Sequence, residues 1–304
     1  MSLLFLIAAV VSAADLRLGI VGVDTSHATE ITKLMNGGTI PGARVVAAFK
    51  GGSPDIESSR TRVDQFAREL ADTYHVEFVP RIGDLCGKVD AILLESIDGR
   101  THLPQMREIV TCGKPVFIDK PLAASYDDVR EIARLAKEAR VPWFSSSSLR
   151  WSEITETMKF PDTNGVHAWG PGPFEEHHQL DLSWYAIHPI EVLFTLMGPG
   201  CEEVTRVSGA NLDEITCRWR DGRIGSVTAL RPYGPYGAVV YRKSGLSQSS
   251  EKAHAGYEGL VREIVKFFET RTPPVPNDET LEIYAFMDAA QRSKEAGGAP
   301  QRLR

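Results

Sequence analysis

The chain has 304 residues, 42% of them hydrophobic and 24% charged, which is the composition of an ordinary globular protein. This length accommodates two domains, each able to bury its own core. The net charge of −6, with acidic and basic residues interspersed, excludes the basic surface that nucleic acid or anionic lipid would require.

The first 14 residues differ from the rest of the chain. Leu3 to Val11 is an unbroken apolar run, and the small residues 12–14 precede Asp15. This pattern predicts a signal peptide over residues 1–14 and a periplasmic or secreted protein, although no basic residue precedes the run. The run is too short to span a membrane. A mis-assigned start, or an ordinary extension of a cytoplasmic protein, is the alternative.

From residue 16 to residue 145, short apolar segments alternate with amphipathic ones, which predicts a doubly wound parallel sheet covered by helices. The predicted strands are Leu16–Val21, Arg44–Phe49, Val76–Val79, Ala91–Leu94, Val116–Ile118 and Trp143–Ser145. The predicted helices are Ser59–Leu70, Leu103–Thr111 and Ser125–Glu138, the last with Ser125 and Asp128 as a capping pair. These elements indicate a Rossmann-type domain over residues 15–149.

The first strand leads into the segment Gly19-Ile20-Val21-Gly22-Val23-Asp24-Thr25-Ser26-His27, where dinucleotide folds bind phosphate. Counted from Gly22, the G-x-G-x-x-G motif would have glycines where this chain has Asp24 and His27. Thr25 and Ser26 can cap the next helix and offer hydroxyl groups to a phosphate. The segment is either a divergent phosphate site formed by Gly22, Asp24, Thr25, Ser26 and His27, or a turn that binds nothing.

The second strand ends in Lys50-Gly51-Gly52-Ser53, without the acidic residue that usually binds the adenosine ribose. Lys50 and Ser53 could instead receive the 2′-phosphate of NADP. An ordinary solvated loop is the alternative.

The fifth strand delivers Asp119-Lys120-Pro121 at its carboxyl end, where open α/β sheets bind ligands. Pro121 cannot donate a hydrogen bond to a sheet ladder, so the strand ends there. This position predicts a chemical role for Lys120 in the crevice.

Residues 150–304 show close-spaced strands with few helices between them, which predicts an antiparallel sheet. The predicted strands are Val204–Ser208, Glu214–Trp219, Ile224–Leu230 and Ala238–Tyr241, with a tight turn at Asp221-Gly222. Two helices, Tyr257–Glu269 and Glu279–Glu295, close the chain.

Four cysteines, Cys86, Cys112, Cys201 and Cys217, lack the spacing of a zinc site. They are either buried thiols or, in an exported protein, disulfide partners. One bridge within each half is possible, but four cysteines allow three pairings, and the sequence does not choose among them.

The chain resembles the Gfo/Idh/MocA family, which includes glucose-fructose oxidoreductase and inositol dehydrogenase. The resemblance covers essentially the whole mature chain and rests on four segments: Gly19–Gly22, Ser96–His102, Gly113–Ala123 and Trp184–Glu191. The third segment is similar to the family's Glu-Lys-Pro signature, with Asp119 in place of the glutamate.

This resemblance implies a Rossmann doubly wound parallel sheet followed by an α/β domain, residues 150–304, with an open and mainly antiparallel sheet. It implies NAD or NADP as cofactor and a homodimer or homotetramer formed through the open sheet. The residues implied on the cofactor side in these segments are Ser96, His102, Asp119, Lys120 and Pro121.

The resemblance also implies the catalytic pair. Lys120 would hold the nicotinamide ribose and the substrate hydroxyl, and His188 would be the acid/base of hydride transfer. Histidine suits this task because it accepts a proton near neutral pH. A capping or core role for His188 ahead of Pro189 is the alternative. Trp184 stands where the family often places an aspartate, which puts ordinary polyol turnover in question.

Glu175-Glu176-His177-His178 offers imidazole and carboxylate groups that could hold a metal ion. Adjacent histidines point apart on a strand or a helix, so no metal site is predicted. We expect substrate hydrogen bonds instead. The predicted substrate-binding residues are Arg150, Trp151, His177, His178, Trp184 and Tyr185.

The sequence therefore predicts an NAD(P)-dependent oxidoreductase that acts on the CH–OH group of a sugar, cyclitol or related polyol. The alternative is an exported family member without redox turnover, either a carbohydrate-binding protein or a lyase or isomerase. Three features favour the alternative: the broken glycine motif, the missing ribose acid and the apparent signal peptide.

Overall fold

The computed structural model describes residues 15–304. The predicted signal peptide, residues 1–14, lies outside the described residues. Within residues 15–304, each helix is too short or too polar to cross a membrane.

Six parallel strands form the first sheet, in the order β3-β2-β1-β4-β5-β6. Their bounds are β1 Leu16–Val21, β2 Ala43–Phe49, β3 Glu77–Val79, β4 Ala91–Leu94, β5 Val116–Ile118 and β6 Trp143–Ser145. The predicted bounds of β1, β4, β5 and β6 are confirmed. The direction of strand progression reverses between β1 and β4, so a ligand crevice is expected at their carboxyl ends.

Helices cover both faces of this sheet. They are α1 Ser26–Asn36, α2 Glu57–Arg60, α3 Val63–Tyr74, α4 Gly99–Ile109 and α5 Tyr126–Ala139. The Ser125 hydroxyl accepts a hydrogen bond from the Asp128 amide at 3.1 Å, so the predicted cap of α5 is confirmed. The single helix predicted over residues 59–70 is instead two helices. Ser59 holds α2 against the first turn by donating to Asp24 Oδ2 at 2.6 Å.

Seven strands form the second sheet, in the order β12-β11-β7-β10-β9-β8-β13. Their bounds are β7 Thr163–Pro171, β8 Cys201–Ser208, β9 Leu212–Trp219, β10 Ile224–Leu230, β11 Gly237–Arg242, β12 Gly245–Gln248 and β13 Gln301–Arg302. All neighbouring pairs are antiparallel except β7 with β10. The predicted mainly antiparallel sheet is confirmed. The sequence missed β7, because Gly165, Gly170 and Pro171 weaken its strand pattern.

Four helices belong to the second half of the chain: α6 Glu153–Glu156, α7 Ile187–Met197, α8 Glu258–Thr270 and α9 Asn277–Glu295. Helices α7 and α9 pack against the second sheet. Helix α8 instead returns to the first sheet, where Leu260, Val261 and Ile264 share a core with Leu18 and Ile20. The first sheet therefore depends on a helix that comes more than 100 residues after its last strand.

Two disulfide bonds, Cys86–Cys112 and Cys201–Cys217, are present. The first links the segment after β3 to the end of the α4 region, and the second joins neighbouring strands β8 and β9. Each bridge lies within one half of the chain, which is one of the pairings that the sequence left open.

Candidate active site

A cavity of about 370 Å³ opens at the carboxyl ends of β1, β4 and β5, where the second half of the chain faces the first sheet. It is lined by Thr25, Ser26, His27, Glu57, Ser58, Arg62, Ile97, Lys120, Glu175, Trp184 and Tyr185. Six of these residues were predicted from the sequence. A larger cavity of about 640 Å³, between α5 and α9, contains none of the predicted site residues. We therefore place the candidate active site in the smaller cavity, the cleft.

The first turn is built by a close approach between β1 and the end of β4. Gly22 has φ +87°, and a Cβ there would lie 2.1 Å from Ser96 Oγ, so this position requires glycine. The Asp24 carboxylate points inward, where it accepts hydrogen bonds from the Ile97 amide at 3.0 Å and from Ser59. Its charge is thus directed away from the cleft, which leaves the cleft wall open to an anionic group.

The start of helix α1 forms one wall of the cleft. Thr25 caps the helix by accepting a hydrogen bond from the His27 amide at 3.3 Å. A helix N-terminus attracts anions, and the Ser26 hydroxyl and Arg62 guanidinium line the same cavity. Together with the Lys120 ammonium, these groups fit a phosphate and a ribose of a dinucleotide.

Lys120 and His188 both lie against the ring of Tyr185. The Lys120 Nζ is 5.9 Å from the centroid of that ring, and the His188 ring centroid is 5.8 Å from it. The two predicted catalytic side chains, one after β5 and one in the first turn of α7, thus lie against the same ring. Lys120 lines the cleft, whereas His188 is buried and is not among the lining residues. Burial lowers the pKa of Lys120, although Asp119 and Glu95 act in the opposite direction.

His188 is oriented by Ser147, whose Oγ lies 2.7 Å from His188 Nδ1 and also accepts a hydrogen bond from the Leu149 amide. Burial, followed by the charges of Lys120 and His27, lowers the pKa of His188 well below its ordinary value. The imidazole is therefore neutral at physiological pH. Since Nδ1 is taken by Ser147, Nε2 is the nitrogen left for a substrate.

Sequence reasoning missed Ser147, although it follows β6 at the same edge of the sheet as Lys120. The serine run 145–148 is a recognisable strand-end signal. Arg62, in contrast, reaches the cleft from the connection between α2 and α3, and no local pattern marks it.

Several residues predicted on the cofactor side hold the protein together around the cleft instead of lining it. Ser53 donates to Asp98 at 2.8 Å, and Ser96 donates to Gln105 at 3.0 Å. The His102 ring lies between the carbonyl oxygens of Ser96 and Leu122, at 2.8 and 3.2 Å. These contacts fix the end of β4 to its neighbours.

Three further residues predicted on the cofactor side sit at the ends of β2 and β5. Lys50 is exposed and pairs with Asp64 at 2.5 Å. Asp119 is buried and faces His27, with 2.6 Å between Oδ2 and Nδ1. Pro121 follows a cis peptide bond after Lys120.

Of the predicted substrate-binding residues, Trp184 and Tyr185 line the cleft and four do not. Arg150 is buried and donates to Glu191 and Glu279, each at 2.7 Å. Trp151 packs against the start of α8, so closely that a Cβ on Gly259 would lie 2.5 Å from the Trp151 carbonyl oxygen.

The two adjacent histidines have separate partners. His177 pairs with Glu175 at 2.5 Å on the cleft rim, whereas His178 is buried and lies 3.1 Å from Asp98. Burial opposes ionisation of Asp98, but hydrogen bonds from His178, Arg100 and Ser53 outweigh it and hold the pKa of Asp98 below its ordinary range. This pairing ties the loop before α7 to the first sheet.

The chain is similar in sequence to a family of known oxidoreductases. The sequence profile of the Gfo/Idh/MocA oxidoreductase family, with its NAD-binding Rossmann fold, matches residues 16–146. Inositol 2-dehydrogenase 1 from Saccharopolyspora erythraea is 36% identical over 221 residues, which are 68% of this chain and 62% of that protein. The NAD-binding fold of this family confirms the predicted nicotinamide cofactor.

Solved structures show the same fold at low sequence identity. Myo-inositol dehydrogenase from Lactobacillus casei, in complex with NAD(H) and myo-inositol, superposes with a TM-score of 0.73 at 16% identity, covering 96% of this chain and 97% of that one. Myo-inositol 2-dehydrogenase from Lactobacillus plantarum gives 0.73 at 14% identity, covering 96% and 100%. With the matching profile and the Asp119-Lys120-Pro121 strand end, residues 16–146 belong to the Gfo/Idh/MocA family of NAD-binding oxidoreductases, and the whole chain shares the fold of these solved structures.

Proposed function

We propose that the protein is an NAD(P)-dependent dehydrogenase that oxidises a secondary alcohol of a cyclitol or sugar. The observation that carries this proposal is that Lys120 and His188 both lie against the ring of Tyr185, which lines the cleft. The names of the relatives, which are inositol dehydrogenases, support a cyclitol as the substrate.

In this mechanism the chain positions the alcohol and takes its proton. Lys120 donates a hydrogen bond to the reacting hydroxyl, which favours the developing alkoxide. His188 Nε2 accepts the hydroxyl proton while its Nδ1–H donates to Ser147 Oγ. A nicotinamide held beside Lys120 would supply the hydride acceptor that this oxidation requires.

The cleft also suits a neutral polyhydroxylated substrate. Trp184 and Tyr185 offer aromatic faces to the apolar side of a ring. Arg62 and Glu175 add a donor and an acceptor of opposite charge. A cavity of about 370 Å³ limits the substrate to a small molecule.

Binding and turnover test the proposal together. NAD+ and NADP+ are titrated into the purified protein by calorimetry, and reduced nicotinamide is followed by absorbance with myo-inositol, scyllo-inositol and glucose. We expect one nucleotide per chain and turnover of at least one polyol. Absence of binding heat and of a thermal shift with either nucleotide at millimolar concentration would remove the redox proposal.

We propose in addition that the protein is a homo-oligomer. Ile224, Gly165, Tyr241 and Leu246 form one row across β10, β7, β11 and β12. The three large side chains in this row are 49–62% exposed. A contiguous apolar row of this kind is typical of an interface between protein chains.

We also propose that the protein is exported. The apolar run before Asp15 and the two disulfide bonds support it, because disulfides persist in oxidising compartments. N-terminal sequencing of the protein expressed in a bacterium with its native N-terminus should show a start near Ala14. Recovery of the uncleaved chain from the cytosol would contradict export.

A further inference from the structure

Three side chains form a buried triad beside Lys120: His27, Glu95 and Asp119. They come from the first turn of α1, from the residue after β4 and from the residue after β5. One potential ligand atom from each lies within 4.8 Å of the others. The exposed fractions are 9% for His27, 0% for Glu95 and 1% for Asp119, so water does not compete freely for these groups.

Glu95 is anomalous among the buried acids near the cleft. In residues 15–304, neither of its carboxylate oxygens has a hydrogen-bond partner. Asp24 and Asp98, which are equally buried, accept hydrogen bonds on both oxygens. A buried carboxylate without a partner is costly, which indicates that a group belonging to this position completes it.

The neighbouring charges do not supply that group. The charge of Lys120 favours the ionised form of Glu95, yet within the described chain no nitrogen–oxygen distance of 4.0 Å or less joins Lys120 to Glu95 or Asp119. His27 is already directed at Asp119. A proton on Glu95 would remove its charge but leave a hydroxyl donor and a carbonyl oxygen unpaired. A cation at the centre would engage both carboxylates and the imidazole.

We propose that His27, Glu95 and Asp119 bind one divalent cation of the Zn2+ or Mn2+ type. One imidazole nitrogen and two carboxylate oxygens are ligands that both ions accept. Ligands of one Zn2+, each at about 2.0–2.1 Å, lie about 3.4 Å apart, so His27 Nδ1 and Asp119 Oδ2 need to separate only slightly. The ion replaces the hydrogen bond between them.

The proposed ion lies behind the cleft wall, because His27 lines the cleft whereas Glu95 and Asp119 do not. It joins the ends of β4 and β5 to the start of α1 and neutralises the carboxylates beside Lys120. The sequence predicted no metal site, because its one candidate was the Glu175–His178 segment. The inference goes beyond the proposed function and does not depend on nucleotide or substrate binding.

The test measures metal alone. The full protein, dialysed against a chelator and then freed of it, is titrated with ZnCl2 and with MnCl2 by calorimetry, and the bound metal is counted by mass spectrometry. We expect one equivalent per chain and a higher melting temperature. Glu95→Gln keeps the size of the side chain and should weaken binding by at least about tenfold.

Asp288→Asn is the matched control, since Asp288 is a buried acid that pairs with Arg292 and Arg304 away from the cleft. It should bind metal as the wild type does. If Glu95→Gln does not fold, His27→Gln takes its place. Failure of the wild type to bind either ion at millimolar concentration, or equal binding by the wild type and the triad variant, would overturn the proposal. These outcomes are independent of nucleotide binding, so they separate this inference from the proposed function.

Discussion

The pKa of His188 depends on burial and on the charge of Lys120. Its shift has two leading causes, burial and the Lys120 ammonium, and both disfavour the protonated imidazole. A lowered pKa means that His188 takes up a proton only at a pH below the ordinary range for histidine. The base form, and the proposed oxidation that needs it, should therefore extend to more acidic pH than a free histidine would allow.

Replacing Lys120 by methionine tests this coupling without any assay of turnover. Lys120→Met keeps the stem of the side chain and removes the charge, so the pKa of His188 should rise toward its ordinary value. An NMR titration of the imidazole nitrogens in wild type and variant measures the change. An unchanged pKa would mean that burial and the charge of His27 set it without Lys120.

The acid/base role of His188 has a separate test. His188→Asn should lower turnover by ~10²–10⁴-fold while changing the melting temperature little. His167→Asn is the control, because His167 lies on the second sheet, where it is 2.7 Å from Ser226 and stacks on Trp169. A loss of activity that only follows a loss of folded protein would assign His188 a structural role.

The sequence predicted a chemical role for Lys120 from its position at a strand end, and Lys120 does line the cleft. His188, predicted by resemblance, lies against the ring of Tyr185 but is not among the residues that line the cleft. Ser147 and Glu95 could not be assigned in the same way, because their roles depend on which side chains meet them in space. Asp24 shows the opposite case: its position in the motif is visible in the sequence, but its inward orientation is not.

At the scale of elements, the apolar row on the second sheet predicts a measurable assembly. Leu246→Asp places a charge in the row, whose other large members are Ile224 and Tyr241. The variant should shift toward monomer in analytical ultracentrifugation, because an unpaired charge disfavours burial at an interface. Glu203→Asp, a change outside the row on β8, serves as control. A wild type that is itself monomeric at micromolar concentration would contradict the assembly.

The strands of the first sheet were predictable because each is a short apolar run between helical segments. The second sheet was harder, since β7 contains two glycines and ends at a proline, and β12 and β13 have only 4 and 2 residues. Helix α8 was predicted as a helix, but its packing partner was not. Amphipathicity shows that a face is buried without showing which sheet buries it.

At the scale of the whole molecule, the disulfides predict a dependence of stability on redox conditions. A bridge that spans 16 residues restricts the unfolded chain by about 3 kcal/mol, and the other spans 26. Reduction should therefore lower the melting temperature by at least about 5 °C in calorimetry. A variant with all four cysteines replaced by serine should show no response to the reductant. An equal response in both proteins would point to a cause other than the bridges.

The return of α8 to the first sheet has a consequence for synthesis on the ribosome. The six strands of that sheet are complete at Ser145, but the helix that covers Leu18 and Ile20 is finished only at Thr270. Until then the nascent chain exposes an apolar surface, and the second half is made while the first is still open. A fragment that stops at residue 149 lacks α8. The core of the first sheet is therefore complete only after most of the second half of the chain has been made.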